Sequence, residues 1–236
     1  MPKGMFRLAV VLGLAVLSAS GMAADAPAPE EGGFLKDISF MEIILFLTSI
    51  AGFALALQAL VTLRAHLLRP PGLAAELTDL CREGNLEGAF DAAQGDNSFL
   101  GTVALATLSN AQYGKESMES ALADAGEVES NKLMNKVGVL NMIAAIAPML
   151  GLTGTTLGMI ATFKTMSKGG EITADKMAKG ISLALICTFM GLMVAIPLLV
   201  IAFFLKARLT QIILEVGNDC NEMIRIITSG EQPAEE

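Results

Sequence analysis

Two long stretches without a charged side chain, residues 137–163 and 180–205, most restrict how this chain can fold. A helix rises about 1.5 Å per residue and the hydrocarbon core of a bilayer is about 30 Å thick, so about 20 apolar residues cross it. Both stretches exceed that length, and a third stretch, 43–63, also carries no charge. The sequence therefore predicts an all-α integral membrane protein with three transmembrane helices and long helical extensions in the cytoplasm.

Small and hydroxyl side chains repeat along the two long stretches at steps of four, three and four residues. The first stripe consists of Gly151, Thr155, Gly158 and Thr162, and the second of Ala184, Thr188, Gly191 and Ala195. This spacing keeps each stripe on one helix face. Small faces let helices approach closely in lipid, and hydroxyls at membrane depth can also bond water or a passing ion. Periodicity alone favours tight helix packing over a pore wall.

Each long stretch also contains a proline, Pro148 in the first and Pro197 in the second. Proline has no N–H, so it frees a carbonyl one turn back, and neighbouring helices can satisfy that carbonyl within a membrane. We predict a helix kink at both positions.

The overall composition excludes several classes of function. A net charge of −8 leaves no basic patch for nucleic acid. With one histidine and three widely spaced cysteines, the sequence offers no metal site. No catalytic motif or phosphate-binding loop is present, so we expect neither an enzyme nor a bound cofactor.

The first 23 residues resemble a secretory signal peptide. Lys3 and Arg7 precede an apolar run of residues 8–19, and Gly21-Met22-Ala23 fits a cleavage site. An uncleaved signal anchor is the alternative. Either puts the start of the first span outside the membrane. Arg64 and Arg69 after that span agree with the positive-inside rule.

The remaining segments complete the predicted organisation. Residues 64–136 are acidic and helical, with 116–135 continuing unbroken into the second span, and an apolar stripe after residue 205 favours packing against other helices. The stripe consists of Leu209, Ile212, Val216, Cys220, Met223 and Ile227. The predicted segments are a signal peptide (1–23), a periplasmic tether (24–39), transmembrane helix 1 (40–63), a cytoplasmic helical domain (64–136), transmembrane helix 2 (137–163), a periplasmic hairpin (164–179), transmembrane helix 3 (180–205) and a cytoplasmic amphipathic helix with an acidic tail (206–236).

Two sequence motifs in the long spans resemble a known family. Residues 151–158 read G-L-x-G-T-x-x-G, and residues 188–197 read T-x-x-G-L-x-x-A-I-P. With similar spacing over roughly residues 40–228, the chain resembles the MotA/TolQ/ExbB proton channel family in its ExbB/TolQ-like branch. The resemblance implies that Thr155 and Thr188, with Thr162, line a pore. It implies a stripe for helix packing or pore lining that consists of Gly151, Gly154, Gly158, Ala184, Gly191 and Ala195.

The same resemblance implies a function and partners. We expect a multi-pass protein of the bacterial inner membrane, with a periplasmic mature N-terminus and a cytoplasmic C-terminus. Copies would form a homopentamer in the lipid bilayer around ExbD/TolR-like partners, each a single-span protein with an intramembrane aspartate. Ion flow would then power transport or maintenance in the cell envelope. The sequence does not distinguish H⁺ from Na⁺ as the ion that moves.

Leu183 departs from the family pattern. Many ExbB/TolQ members carry a glutamate five residues before the second pore threonine, and the uncharged stretches 43–63, 137–163 and 180–205 hold no Asp, Glu, Lys, Arg or His. Such groups usually mark proton relays inside membranes. Either the partner's aspartate supplies the proton acceptor, or the chain is a non-conducting membrane scaffold. A flagellar-stator-like ion-driven motor subunit is a further alternative.

Overall fold

The computed structural model describes residues 40–167 and 174–230, and all the regular structure within them is helical. The helices are α1 (Phe40–Thr62), α2 (Ala65–Leu68), α3 (Pro71–Arg82), α4 (Leu86–Gln94), α5 (Phe99–Leu108), a 3₁₀ turn (Ala111–Tyr113), α6 (Lys115–Ser167) and α7 (Ala174–Gly230). The predicted all-α class is confirmed. The predicted signal peptide, the tether, residues 168–173 of the hairpin and residues 231–236 of the tail lie outside the described residues.

Three of the helices, α1, α6 and α7, are long and apolar enough to cross a membrane, as predicted. Helix α6 begins at Lys115, so the helix does run unbroken into the second uncharged stretch. Pro148 lies inside α6 and Pro197 inside α7, and neither ends its helix.

One compact unit contains the described residues 40–58 and 138–203. Helix α1 packs closely at Gly52, where an added Cβ would lie 2.6 Å from Leu198 Cδ1 and 3.3 Å from Ile143 Cγ2. Large apolar side chains such as Phe46 and Phe189 are instead exposed, at 61% and 56%. An apolar outer surface with small residues at helix contacts suits a lipid environment.

The second compact unit contains residues 59–137 and the described residues from 204 onward. Helix α3 packs on α4, and α4 packs on α5. The Asn85 side chain accepts a hydrogen bond from the Gly88 N–H and caps α4, and Ser98 caps α5 in the same way through Gly101 N–H. Such caps satisfy N–H groups that have no partner within the helix. The apolar stripe predicted after residue 205 is buried along its whole length.

An ion-pair cluster also holds this second unit together. Arg69, in the link between α2 and α3, donates from Nε to Asp219 Oδ2 at 2.6 Å and from Nη2 to Asp219 Oδ1 at 3.0 Å. Its Nη1 lies 3.3 Å from Glu215 Oε2, and Arg82 contacts Glu222 at 3.2 Å. The hydrogen bonds to Asp219 raise the pKa of Arg69, although its partial burial acts in the opposite direction. Two parallel bonds from one guanidinium fix the geometry of the link against α7.

Candidate functional site

Helices α6 and α7 come into backbone contact at Gly151 and Gly191. A Cβ built on Gly151 would lie 2.9 Å from the Cys187 carbonyl oxygen and 3.3 Å from Gly191 Cα. A Cβ on Gly191 would lie 2.8 Å from the Ala147 carbonyl oxygen. These distances are shorter than normal van der Waals separations, so only glycine fits at either position without moving a backbone. We call this α6–α7 contact, from Gly151 and Gly191 to Thr162 and Gly180, the seam.

The seam continues towards the C-terminal end of α6 and the N-terminal end of α7. A Cβ on Gly158 would lie 3.0 Å from Ala184 Cβ, and a Cβ on Gly180 would collide with the Thr162 hydroxyl. Along the seam, the residue numbers on α7 decrease as those on α6 increase, so the two helices run antiparallel. The two predicted stripes therefore face each other within one chain.

The three predicted pore hydroxyls all lie along the seam. Thr188 Oγ1 donates across it to the Gly151 carbonyl oxygen at 3.3 Å. Thr155 is 7% exposed and donates to the Leu152 carbonyl oxygen at 2.7 Å, and Thr162 donates to the Gly158 carbonyl oxygen at 2.9 Å. Hydroxyls bonded in this way to backbone carbonyls cost little to hold at membrane depth.

The other residues of the predicted stripe are also packed. Gly154 is buried, and Ala184 and Ala195 are 3% and 1% exposed. Among the prolines, Pro197 is buried and Pro148 is half-buried. The pore-lining role of the stripe and the kinks at the prolines stay predictions.

Sequence reasoning passed over two exposed hydroxyls on α6. Thr153 and Thr156 lie outside the seam, and their Oγ1 atoms donate to the carbonyl oxygens of Met149 and Thr153 at 2.8 Å each. Neither position fits the steps of four, three and four from Gly151 that define the stripe. The run Thr153-Gly154-Thr155-Thr156 was the available signal.

No titratable side chain occurs in the uncharged stretches 43–63, 137–163 and 180–205 apart from the thiol of Cys187. Within the part of the chain that the structure describes, no group of His, Cys, Asp or Glu could hold a metal ion. The seam therefore provides close packing and hydroxyls, and it provides no carboxylate or imidazole that could take up a proton.

The chain is similar to proteins of a known family. Residues 94–218 match the profile of the MotA/TolQ/ExbB proton channel family, which is more than half of the chain. The chain belongs to the MotA/TolQ/ExbB proton channel family. Within it the chain falls in the ExbB/TolQ-like branch, as the resemblance predicted and as the similar proteins support.

Two relatives agree with this assignment, and a solved structure shares the fold. A biopolymer transport ExbB homolog of Methanothermobacter thermautotrophicus is 31% identical over 68% of this chain and 57% of its own length. The Tol-Pal system protein TolQ of Haemophilus influenzae is 36% identical over 45% of this chain and 46% of its own. The chain thus spans about half the length of these relatives. The structure of C. jejuni MotAB matches 99% of this chain and 92% of its own at TM-score 0.57 and 17% identity, and shows a shared fold.

Proposed function

We propose that this protein is the ring-forming subunit of a proton-driven energy transducer in the bacterial inner membrane. Copies of the chain, five in the proposed ring, surround the membrane helices of an ExbD/TolR-like partner. Ion movement along the contact between ring and partner shifts the partner, and that motion powers transport or maintenance in the cell envelope. The N-terminal side of α1 faces the periplasm and the C-terminal end of α7 faces the cytoplasm.

The observation that carries this proposal is the seam itself. Small residues in mutual backbone contact keep α6 and α7 as one paired element. In lipid, no hydrophobic force drives helices together, so helices associate through close packing. A closely packed helix pair can therefore offer a rigid surface to the membrane helix of another subunit. In the proposed ring, the hydroxyls of Thr155 and Thr188 lie on the ion path and Thr162 extends it.

The proton acceptor comes from the partner in this proposal. The uncharged stretches of this chain hold no carboxylate, and the position that is glutamate in many ExbB/TolQ members is Leu183. A carboxylate at membrane depth is costly unless a protein uses it, so one intramembrane aspartate in the partner would be the site of proton uptake and release. The threonine hydroxyls then solvate that aspartate in its charged form.

Proton flux into liposomes tests the proposal directly. The chain would be reconstituted alone and then with its single-span partner, with a pH-sensitive dye inside the vesicles. We expect flux only with the partner, and we expect it to disappear when the partner's intramembrane aspartate is changed to asparagine. Flux that is absent from both preparations, despite a stable complex, would refute the proposal.

The threonines are tested in the same assay. Thr155→Val with Thr188→Val keeps the side-chain shape and removes both hydroxyls, so the ring should assemble and the flux should fall to background. Thr153→Val with Thr156→Val is the matched control, because these two hydroxyls lie on α6 outside the seam. Unchanged flux in the Thr155/Thr188 variant would remove those two residues from the ion path.

A second candidate function is a non-conducting membrane scaffold. It is favoured by Leu183 and by the fact that the two stripes already contact each other within one chain. In a scaffold, Leu183→Glu would only destabilise the protein. In the proposed transducer, the added carboxylate would return the family's glutamate to the ion path and change the pH dependence of the flux.

A further inference from the structure

Pro148 and Pro197 each leave one backbone carbonyl without its usual helical partner. Both prolines lie in the interior of a helix, α6 and α7 respectively. Proline has no N–H, so the carbonyls of Ala144 and Met193 lack the hydrogen bond that the residue four positions later would donate. Each helix therefore contains one gap in its backbone hydrogen-bond ladder, from the freed carbonyl to the proline.

The two gaps lie at the same level of the paired helices. The contact between Gly151 and Gly191 sets the register, because Gly158, seven residues further along α6, meets Ala184, seven residues back along α7. Counted from that contact in the opposite direction, the gap in α6 covers the third to the seventh residue and the gap in α7 covers the second to the sixth. The offset is a single residue, or about 1.5 Å along the helix axis. Both ladders are thus interrupted within the same turn.

On one side of the gaps, α6 and α7 are joined by rigid contacts. Cβ atoms added to Gly151, Gly158 and Gly191 would meet Cα atoms, a Cβ atom or backbone oxygens, which no rotamer change can move. We call residues 151–162 of α6 and 180–191 of α7 the seam block. The two threonines that the proposed function assigns to the ion path lie within this block.

At the level of the gaps, the third spanning helix meets the pair through side chains instead. A Cβ on Gly52 of α1 would lie closest to Leu198 Cδ1 and Ile143 Cγ2, which are side-chain methyl groups. Leu198 is seven residues beyond Gly191 and therefore lies at the far edge of the gaps. Side chains can change rotamer when helices tilt, so this contact can adjust where a backbone contact cannot.

We propose that Pro148 and Pro197 form a paired hinge, about which the seam block tilts as one piece when ions move. Two helices in backbone contact cannot bend separately, because bending only one of them would separate or shear the contact. A helix bends most easily where a backbone hydrogen bond is already missing, and here both helices offer such a point at one level. The inference rests on the energy-transducing function proposed above, and it makes the two prolines positioning residues for Thr155 and Thr188.

Distances across each gap test the hinge on the chain alone in liposomes. Pairs of spin labels replace exposed side chains that are 18 residues apart, which is five full turns and about 27 Å in a straight helix. The two pairs that cross a proline are Val139→Cys with Leu157→Cys in α6 and Leu185→Cys with Phe203→Cys in α7. Ala207→Cys with Arg225→Cys is the matched control, because these exposed sites have the same spacing in α7 without a proline between them. The native cysteines are buried.

Pulsed electron paramagnetic resonance gives the distribution of each distance, with labelled chains diluted by unlabelled ones. In the parent chain, both pairs that cross a proline should give broader distributions than the control pair. Pro148→Ala and Pro197→Ala each restore the missing N–H, so each should narrow the distribution of its own helix to the width of the control. Both variants should melt no lower than the parent, since alanine is favoured over proline in a helix interior. Equal widths for all three pairs in the parent chain would overturn the hinge.

Proton flux in the presence of the single-span partner tests whether the hinge serves ion movement. Pro148→Ala and Pro197→Ala should each lower the flux by about an order of magnitude. The matched control at each position is lactic acid, the α-hydroxy analogue of alanine, which has the same side chain but an ester oxygen in place of the N–H. It keeps the gap open without the proline ring, so the flux should return towards the parent value. Equal flux in the alanine variant and its analogue would show that the missing hydrogen bond has no role.

The two measurements also separate this inference from the proposed function. If the parent complex carries no flux, the proposed function fails, and the distance distributions of the chain alone still decide whether the hinge exists. If the parent complex carries flux and the alanine variants leave it unchanged, the hinge has no part in ion movement and the proposed function stands.

Discussion

The packing of the seam predicts a specific cost for the smallest possible substitution, glycine to alanine. In Gly151→Ala the new methyl group would lie 2.9 Å from the Cys187 carbonyl oxygen and 3.1 Å from Thr188 Cα. Both are backbone atoms, so no rotamer change can relieve the contact and the two helices must move apart by some tenths of an ångström. Gly191→Ala meets the same obstacle at the Ala147 carbonyl oxygen, at 2.8 Å.

The size of the effect follows from known costs of overpacking. Inserting a methyl group into a well-packed contact costs about 1–3 kcal/mol. Alanine in place of glycine also stabilises the helix by roughly 0.5–1 kcal/mol, because alanine has the higher helix propensity. The net cost is therefore about 0–2.5 kcal/mol. Since 1 kcal/mol corresponds to about 2–4 °C in chains of 150–250 residues, we expect each variant to lower the melting temperature by up to roughly 10 °C. The double variant should cost less than the sum, because one separation of the helices relieves both contacts.

Thermal unfolding in detergent, followed by circular dichroism, measures this cost. Gly138→Ala is the control: it makes the same change in α6, but its Cβ has no heavy atom within 4 Å. The control should therefore melt at or slightly above the temperature of the parent chain. If Gly151→Ala melted no lower than Gly138→Ala, or if Gly151→Ala and Gly191→Ala had fully additive costs, the seam would not be a close backbone contact.

Three further predictions concern single side chains. Thr188→Val removes the hydroxyl that donates to the Gly151 carbonyl oxygen, so unfolding should become easier by about 0.5–1.5 kcal/mol, and a larger loss in thermal unfolding would mean that the hydroxyl has another partner. Arg69→Gln leaves Asp219 without its bidentate partner and should lower the free energy of unfolding by about 1–2 kcal/mol at low salt and by less at high salt. Exchanging the two charges (Arg69→Asp with Asp219→Arg) should recover part of this loss. An equal loss at both salt concentrations would contradict an electrostatic role. Burial raises the pKa of Cys220 from 9.0 to about 12, so its thiol should react with iodoacetamide at pH 9 far more slowly in the native protein than in denaturant. Its contribution to the unfolding free energy should fall as the pH rises from about 9 towards 12. Equal rates in native and denatured protein would show that the thiol is accessible.

Patterns that depend on one helix at a time were predictable from the sequence. The uncharged stretches identified three spanning helices, because length and lack of charge are properties of the segment alone. The apolar stripe from Leu209 to Ile227 indicated its buried face for the same reason, and that face is buried. Gly84, in the turn between α3 and α4, has φ +73°, a conformation that favours glycine and that one residue type indicates by itself.

Features that depend on two segments at once were not predictable in the same way. The stripes on α6 and α7 are each visible in the sequence, but their periodicity does not say which helix each stripe faces. Gly151 could equally have faced a helix other than α7, and only the structure places it opposite Gly191. The ion pair between Arg69 and Asp219 joins residues that are 150 positions apart, and many other carboxylates were available in the sequence. The common level of the two hydrogen-bond gaps in α6 and α7 becomes visible only when the contact between the two glycines sets the register of the helices.

The close contact at Gly151 and Gly191 also affects how this gene can change over time. Glycine has the smallest side chain, so every single-nucleotide missense change of its codon adds at least one heavy atom at a point where none fits. The exposed apolar positions, such as Phe46 and Phe189, face no such restriction and can exchange with other large apolar residues. A library of all single substitutions, selected for function, should therefore contain fewer variants at the two glycine codons than at the codons of the outer helix faces.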